Sequence, residues 1–432
     1  MTGHCLSTLG IERVGQMKFL TDLHLLRELQ EQTREFLRIQ EGEEDFPEQD
    51  FYDVRPAIKR IRIEGTYLDE TELFDLKRSL CTIINIVRFL NKDTEEDNGT
   101  EENRPDDDAS VPYPALRRLT QGVAVYPQLV RRIESILDKY GKIKDSASAE
   151  LLRIRRELVA AESGISRTLH AILRNAQQDG VVDKDVTPTM RDGRLVIPVA
   201  PALKRKIKGI VHDESATGRT VFIEPAEVVE ANNRIRELEG EERREIIRIL
   251  QEFTAEVRPH YQEILQSYEF LAEIDFIHAK AGLARQFNAT TPDIKGAPLI
   301  DWTLARHPLL YLSLTGHQRI LIISGPNAGG KSVCLKTVGL IQYMLQCGLP
   351  VPIGENSRTG IFGSIFIDIG DEQSIEDDLS TYSSHLLNMK NMMKACCGTS
   401  LLLIDEFGGG TEPQIGSTRR VGEGYTCKSE CA

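Results

Sequence analysis

The stretch RILIISGPNAGGKSVCLKTVGLIQYML, which begins at Arg319, carries the residues whose types and spacing point most directly to chemistry. Gly325, Gly330, Lys331 and Ser332 satisfy the spacing GxxxxGK[ST]. Glycines there let backbone N–H groups turn inward around phosphate oxygens, and a helix beginning after Lys331 aims the positive end of its dipole at the same charge. Lys331 would reach the β and γ phosphates of ATP and act in catalysis, and the Ser332 hydroxyl would hold Mg2+. The expected nucleotide-binding set is Gly325, Pro326, Asn327, Ala328, Gly329, Gly330, Lys331, Ser332 and Val333.

A second run, Leu401 to Ile404, is expected to be a buried strand and ends in Asp405 and Glu406. A carboxylate at a strand tip would orient Mg2+ through water, which is the role expected of Asp405. Its neighbour Glu406 would position or deprotonate the attacking water as the catalytic base. Many strands end in acidic turns, so this run gains its meaning from the glycine loop upstream. Between the two lies DIGDEQSIEDDLSTYSSHLLNM, where Ser380, Thr381, Ser383 and Ser384 lead into a helix. Two readings are open here: an ordinary helix-capping cluster, or hydroxyls that meet the γ-phosphate held by another protomer.

Elements must place these groups. Ile320 to Ile323 is expected to be a buried strand entering the glycine loop. Upstream, apolar positions recur at helical spacing from Cys5 to about Asn91, as in Phe19, Leu23, Leu26 and Leu29. Residues 93–108 hold nine carboxylates and one arginine with nothing apolar to bury, which predicts a loop or linker. Helical spacing returns from Tyr113 to Gln178, with Leu151, Ile154, Leu158 and Ala161 on one face, and Arg153, Arg155 and Arg156 are read as a solvated face. From Val186, β-branched runs broken by Asp-Gly, Thr-Gly and prolines predict a small antiparallel sheet. Long amphipathic helices follow, about 226–257 and 261–287, the first with Glu241 and Glu245 facing Arg244 and Arg248. Two long helices flanking a sheet describe an arm with a tip; a local coiled coil without a ligand stands as the alternative.

At 432 residues the chain has room for two to four domains. No run of apolar residues approaches the roughly 20 that cross a bilayer, and no basic-then-apolar leader is present, so the cytoplasm is expected. The eight cysteines show no CxxC pair and are read as reduced thiols. A net charge of −13 excludes a surface that is basic throughout, so any nucleic-acid contact must be local.

SGPNAGGKS, LSTYSSH and LLLIDEFGGGTEP together resemble the MutS family of ATPases. CLSTLGIERVGQM, IKGIVHDESATGRTVFIEP and ARHPLL are similar to the second bacterial paralogue in particular, and the likeness covers about 5–416. It implies a mixed α and α/β fold: a helical core and lever over 1–185, a β-rich clamp tip over 186–225, returning long helices over 226–295, and an incomplete ABC-like P-loop ATPase domain over 296–416. It implies a head-to-tail homodimer with Ser380 and Thr381 acting on the partner's ATP, and Asp371 and Gln373 lining the metal and water region, Gln373 with Ser332 and Asp405 at Mg2+. In the clamp tip Lys204, Arg205, Lys206 and Lys208 form the densest basic cluster, either a backbone contact for nucleic acid or lysines guarding a strand edge. The implied substrates are branched DNA, with suppression of homologous recombination, and stalled, collided ribosomes through their rRNA; endonuclease activity would reside in a C-terminal Smr domain outside this sequence.

After Gly416 the text STRRVGEGYTCKSECA loses apolar periodicity. Residues 417–432 are expected to be an aberrant, frameshifted tail and the half-built ATPase domain to be unstable. Two other readings are carried forward. One is a non-catalytic fragment retaining only a nucleic-acid- or partner-binding arm. The other, an Smc-type ABC ATPase, is disfavoured by the lack of a very long coiled coil.

Overall fold

The structure, a computed structural model, describes residues 1–42, 45–92, 112–191, 194–215, 217–305, 312–314, 320–323, 330–369 and 378–405. The acidic loop, the tail, Gly325 to Gly329, Asp371, Gln373 and Glu406 lie outside them. In chain order the helices are α1 (Thr8–Gly15), α2 (Leu23–Glu41), α3 (Arg55–Arg60), α4 (Glu70–Leu90), α5 (Pro114–Leu119), α6 (Pro127–Ile136) and α7 (Ala149–Gln178). Strands β1 (Thr189–Arg191), β2 (Arg194–Val199), β3 (Gly209–Glu214) and β4 (Val221–Pro225) follow, then α8 (Ala226–Val257) and α9 (Tyr261–Phe287). The remaining elements are β5 (Asp293–Lys295), β6 (Ile300–Trp302), β7 (Leu312–Leu314), α10 (Lys331–Gln346), β8 (Arg358–Gly360), β9 (Ser364–Asp368), α11 (Asp378–Ala395) and β10 (Ser400–Ile404). The fold is mixed, mostly helical with small sheets. It divides into two units, one of residues 1–53, 82–125 and 266–432, the other of 54–81 and 126–265.

In the first unit, buried Asp275 of α9 gathers the start of the chain. Its carboxylate accepts from the backbone of Leu6 (2.7 Å), Ser7 (2.9 Å) and Gly10 (3.1 Å) and from the Ser7 hydroxyl (2.6 Å). The Ser7 hydroxyl in turn caps α1 by accepting from Leu9 N–H. Buried Glu35 of α2 accepts from Ala115 and Leu116 N–H at the open end of α5; burial pushes its carboxyl up despite those two donors. Strands β5, β8, β6 and β7 form one sheet in that order, and β9 and β10 pair in parallel as another.

Lys280 of α9 is fully buried, with Nζ 4.6 Å from the Phe276 ring centre and no hydrogen-bond partner among the described residues. Burial brings its ammonium down to about 8, against the pull of Glu273. The folded state therefore releases this proton at about 8, while the unfolded chain holds it until roughly 10.4, so stability rises with pH across that window. Lys280→Met is expected to stabilise the protein at neutral pH by about 2 kcal/mol and to flatten the rise of the urea midpoint above pH 8. Parallel pH profiles for parent and variant would refute it.

In the second unit, α7 and α8 form an antiparallel hairpin carrying the sheet β1-β2-β4-β3, all of it antiparallel. Ile154, Leu158 and Leu238 bury together along the hairpin, and Leu169, Ile197, Ile223 and Val228 lie in the core where it meets the sheet. The charged flank is zipped: Arg155 meets Glu242 at 2.7 Å and Arg234 meets Glu157 at 3.1 Å. Along α8 the expected pairing of Glu245 with Arg248 is present, with Glu252 as a second partner of Arg248, while Glu241 departs from expectation by turning to Arg234 and to Arg153 of α7. A helix side chain selects the opposite charge across the hairpin as readily as the one a turn away.

Candidate nucleotide site

Gly330 caps α10 from the left-handed region, φ 75° and ψ 20°, which a side chain would strain. Its carbonyl accepts from Cys334 N–H at 2.9 Å, so Lys331, Ser332 and Val333 form the first turn, where backbone N–H groups have no partner within the helix. No acidic residue sits in that turn. A left-handed glycine leading into the first turn of a helix is the local geometry that an anionic phosphate needs.

Strands β9 and β10 run parallel in register from Ser364 opposite Ser400 to Asp368 opposite Ile404, and Asp405 N–H extends the ladder to Asp368 O at 2.9 Å. Asp368 and Asp405 lie one residue out of register at the carboxyl ends of parallel strands, the end at which α/β sheets receive their ligands. Asp368 is buried, and Asn388 of α11 donates to it at 3.1 Å. Sequence reasoning chose Asp371 and Gln373 and passed over Asp368, although SIFID repeats the pattern of an apolar strand ending in Asp that singled out Asp405. Ser332, Asp368 and Asp405 each carry an oxygen of the kind that suits Mg2+, while the described residues contain no cluster of three or more His, Cys, Asp or Glu that could hold a metal ion.

Two buried glutamines hold α10. Gln342 donates to Gly360 O and Gln346 Oε1, both at 2.9 Å, and accepts from the Thr359 hydroxyl. Gln346 donates to Phe362 O (2.8 Å) and Leu20 O (3.0 Å) and accepts from Phe362 N–H. Every amide hydrogen and oxygen of the pair is used, which fixes the helix axially and in rotation. A Cβ on Gly339 would come within 2.9 Å of Leu403 Cδ1 and 3.3 Å of Ile367 Cδ1, so α10 lies close on the two strands.

Three expectations are corrected here. Ile320 to Ile323 belongs to no strand of the described sheets and is 38–79% exposed. An apolar run states a need for burial; neighbours must supply it, and none of the described strands bonds to this one. Strand β10 is buried on one face only, with Leu401 and Leu403 covered and Leu402 41% exposed. Ser380 and Thr381 lie inside the first turn of α11, not in a turn ahead of it.

Lys204, Arg205 and Lys206 sit on a short 3-10 turn, Pro201–Lys206, between β2 and β3, with Lys208 just beyond. All four are exposed, and none forms an ion pair among the described residues, in contrast to Arg153, Arg155, Arg234 and Arg248 of the hairpin.

Comparison with known proteins adds a family context. Residues 321–419 match the model for MutS domain V. The chain is 36% identical to the Endonuclease MutS2 of Enterococcus faecalis, covering 98% of this chain and 55% of that protein. It is 36% identical to the Endonuclease MutS2 of Bacillus velezensis over 96% of this chain and 52% of the relative, and 37% identical to that of Pelotomaculum thermopropionicum over 95% and 51%. The chain spans about half the length of these relatives.

Proposed function

For a chain of the MutS family that is similar to MutS2 proteins along nearly its whole length, we propose an ATP-binding and ATP-hydrolysing role in a clamp that acts on branched DNA or on stalled ribosomes. The observation that carries the reading is the left-handed Gly330 opening the first turn of α10, on a helix laid against parallel strands that end in Asp368 and Asp405. Ser332 and Asp405 would hold Mg2+, with Gln373 as a further ligand, and the ion would neutralise phosphate charge. Lys331 would bind the β and γ phosphates, the N–H groups of the first turn would orient them, and Glu406 would accept a proton from the attacking water. Ser380 and Thr381 would meet the nucleotide of a second copy in a homodimer. The word endonuclease in the relatives' name belongs, in this reading, to a further C-terminal domain outside these residues. Among the described residues no helix is long and apolar enough to cross a membrane.

The four cations at 204–208, unpaired among the described residues, favour nucleic acid as the clamped partner. Exposed cations with no carboxylate to neutralise them attract phosphate with a strength that depends on salt. They also support a narrower second reading, a nucleic-acid-binding arm without catalysis. One titration series separates the two. The 432-residue chain is expected to bind Mg-ATP, and to bind a four-way DNA junction with a salt slope that falls by up to about four when Lys204, Arg205, Lys206 and Lys208 are replaced by Gln. Junction binding without nucleotide binding would leave only the arm, and an unchanged slope would remove the basic cluster from the interface.

A further inference from the structure

Among the described cysteines, Cys334 and Cys347 are buried, and burial pushes their thiols up. Cys396 and Cys397 are different. They are adjacent, at the end of α11, and Cys397 is exposed. Cys397 opens a tight turn into β10: Ser400 N–H donates to Cys397 O at 3.1 Å, and Cys397 N–H donates back to Ser400 Oγ at 2.9 Å. That turn fixes the sulfur beside two hydroxyls, with Sγ 3.2 Å from Thr399 Oγ1 and 3.5 Å from Ser400 Oγ. Ser400 Oγ is itself held by Ser364 Oγ at 2.7 Å, across the first rung of the β9–β10 ladder. Hydroxyls that donate to a sulfur stabilise its thiolate, and exposure lets a reagent reach it.

We propose that Cys396 and Cys397 form a peroxide-reactive dithiol at the foot of β10, Cys397 being the attacked thiolate and Cys396 the thiol that resolves it. The Cys397 sulfur attacks one oxygen of hydrogen peroxide and the O–O bond breaks. Hydroxide leaves and takes up the proton released when the thiol ionised, giving water, and Cys397 becomes a sulfenic acid. The Cys396 sulfur then bonds to Cys397 Sγ, and the sulfenic hydroxyl departs with the Cys396 proton as a second water. Two thiols are oxidised to one disulfide and one peroxide is reduced to two waters. The Thr399 and Ser400 hydroxyls that would stabilise the thiolate bring the Cys397 thiol down to about 7, so roughly half of it is ionised at neutral pH. Closing the disulfide draws the sulfur away from Thr399 and Ser400 and loosens the first rung of the strand whose far end carries Asp405. The site does not depend on the nucleotide reading.

The test uses the whole chain treated with hydrogen peroxide and digested with trypsin, which releases a peptide starting at Ala395. The parent peptide is expected to lose two hydrogens, reversibly with dithiothreitol. Cys396→Ser should stop at the sulfenic acid and yield a dimedone adduct on Cys397. Cys397→Ser should give neither product and should slow iodoacetamide labelling of the peptide at pH 7 by on the order of tenfold. Dimedone on Cys396, labelling of Cys397→Ser at the parental rate, or a disulfide joining Cys397 residues of two chains would each overturn the proposal.

Discussion

Asp275→Ala is expected to lower the unfolding free energy by roughly 3 kcal/mol, the largest stability loss from one side chain in the first unit. The substitution strands three backbone N–H groups and a hydroxyl that now converge on one carboxylate, and each unsatisfied donor costs about 1–3 kcal/mol where water cannot reach it. Leu6 is 39% exposed, so part of the loss is recovered by hydration. Gly10→Ala should reach a similar loss by another route, because its Cβ would fall 2.5–2.8 Å from the Asp275 carboxyl atoms. Combining Gly10→Ala with Asp275→Gly removes that clash, so a double-mutant cycle should show coupling above about 1 kcal/mol. Additive losses in urea denaturation would mean that the two residues act independently.

Lys331→Ala is expected to cut ATP turnover by roughly a hundred- to thousand-fold, the range for removing one charge-stabilising donor from a phosphoryl-transfer site. Lys331 is the first residue of α10 and only partly buried, so the variant should unfold within about 0.5 kcal/mol of the parent. Turnover should fall while thermal unfolding and far-ultraviolet circular dichroism stay unchanged. Parental turnover in this variant would remove nucleotide chemistry from the glycine loop. A chain that binds ATP without hydrolysing it, and loses that binding on Lys331→Ala, would separate the phosphate role from the catalytic one.

Local signals in the sequence were legible and distant ones were not. The spans of α8 and α9, about 226–257 and 261–287, follow from periodicity and charge alone, and the antiparallel sheet follows from its turn residues. The first turn of α10 follows from the Gly-Lys-Ser spacing. The clasp of Asp275 on Ser7 and Gly10 leaves no periodic trace, because its members lie more than 260 positions apart. A hint was present in EIDFIHAK, a carboxylate flanked by Ile274 and Phe276, since charges placed among apolar residues are buried only with partners. No spacing or motif marks Gln342 and Gln346, and only the fold shows the carbonyls that surround them. Ile320 to Ile323 failed for the converse reason: its pattern was clear, but burial is supplied by other parts of a sheet.

Glu224 of β4 draws together more of the second unit than its single carboxylate suggests. It is wholly buried; burial pushes its carboxyl up, but Arg194 of β2 (2.7 Å), Asn232 of α8 and His212 of β3 outweigh that and leave it below the usual carboxylate range. Three strands and the root of a long helix therefore share one anion. Protection against deuterium uptake in β2, β3, β4 and the first turns of α8 should consequently disappear in a single step as the medium is acidified below the usual carboxylate range, where Glu224 takes up its proton. The other end of the hairpin is fastened independently, by buried Glu245 accepting from the Ser148 hydroxyl at 2.6 Å and by Leu68 N–H donating to Thr254 at 3.0 Å, and should keep its protection through that step.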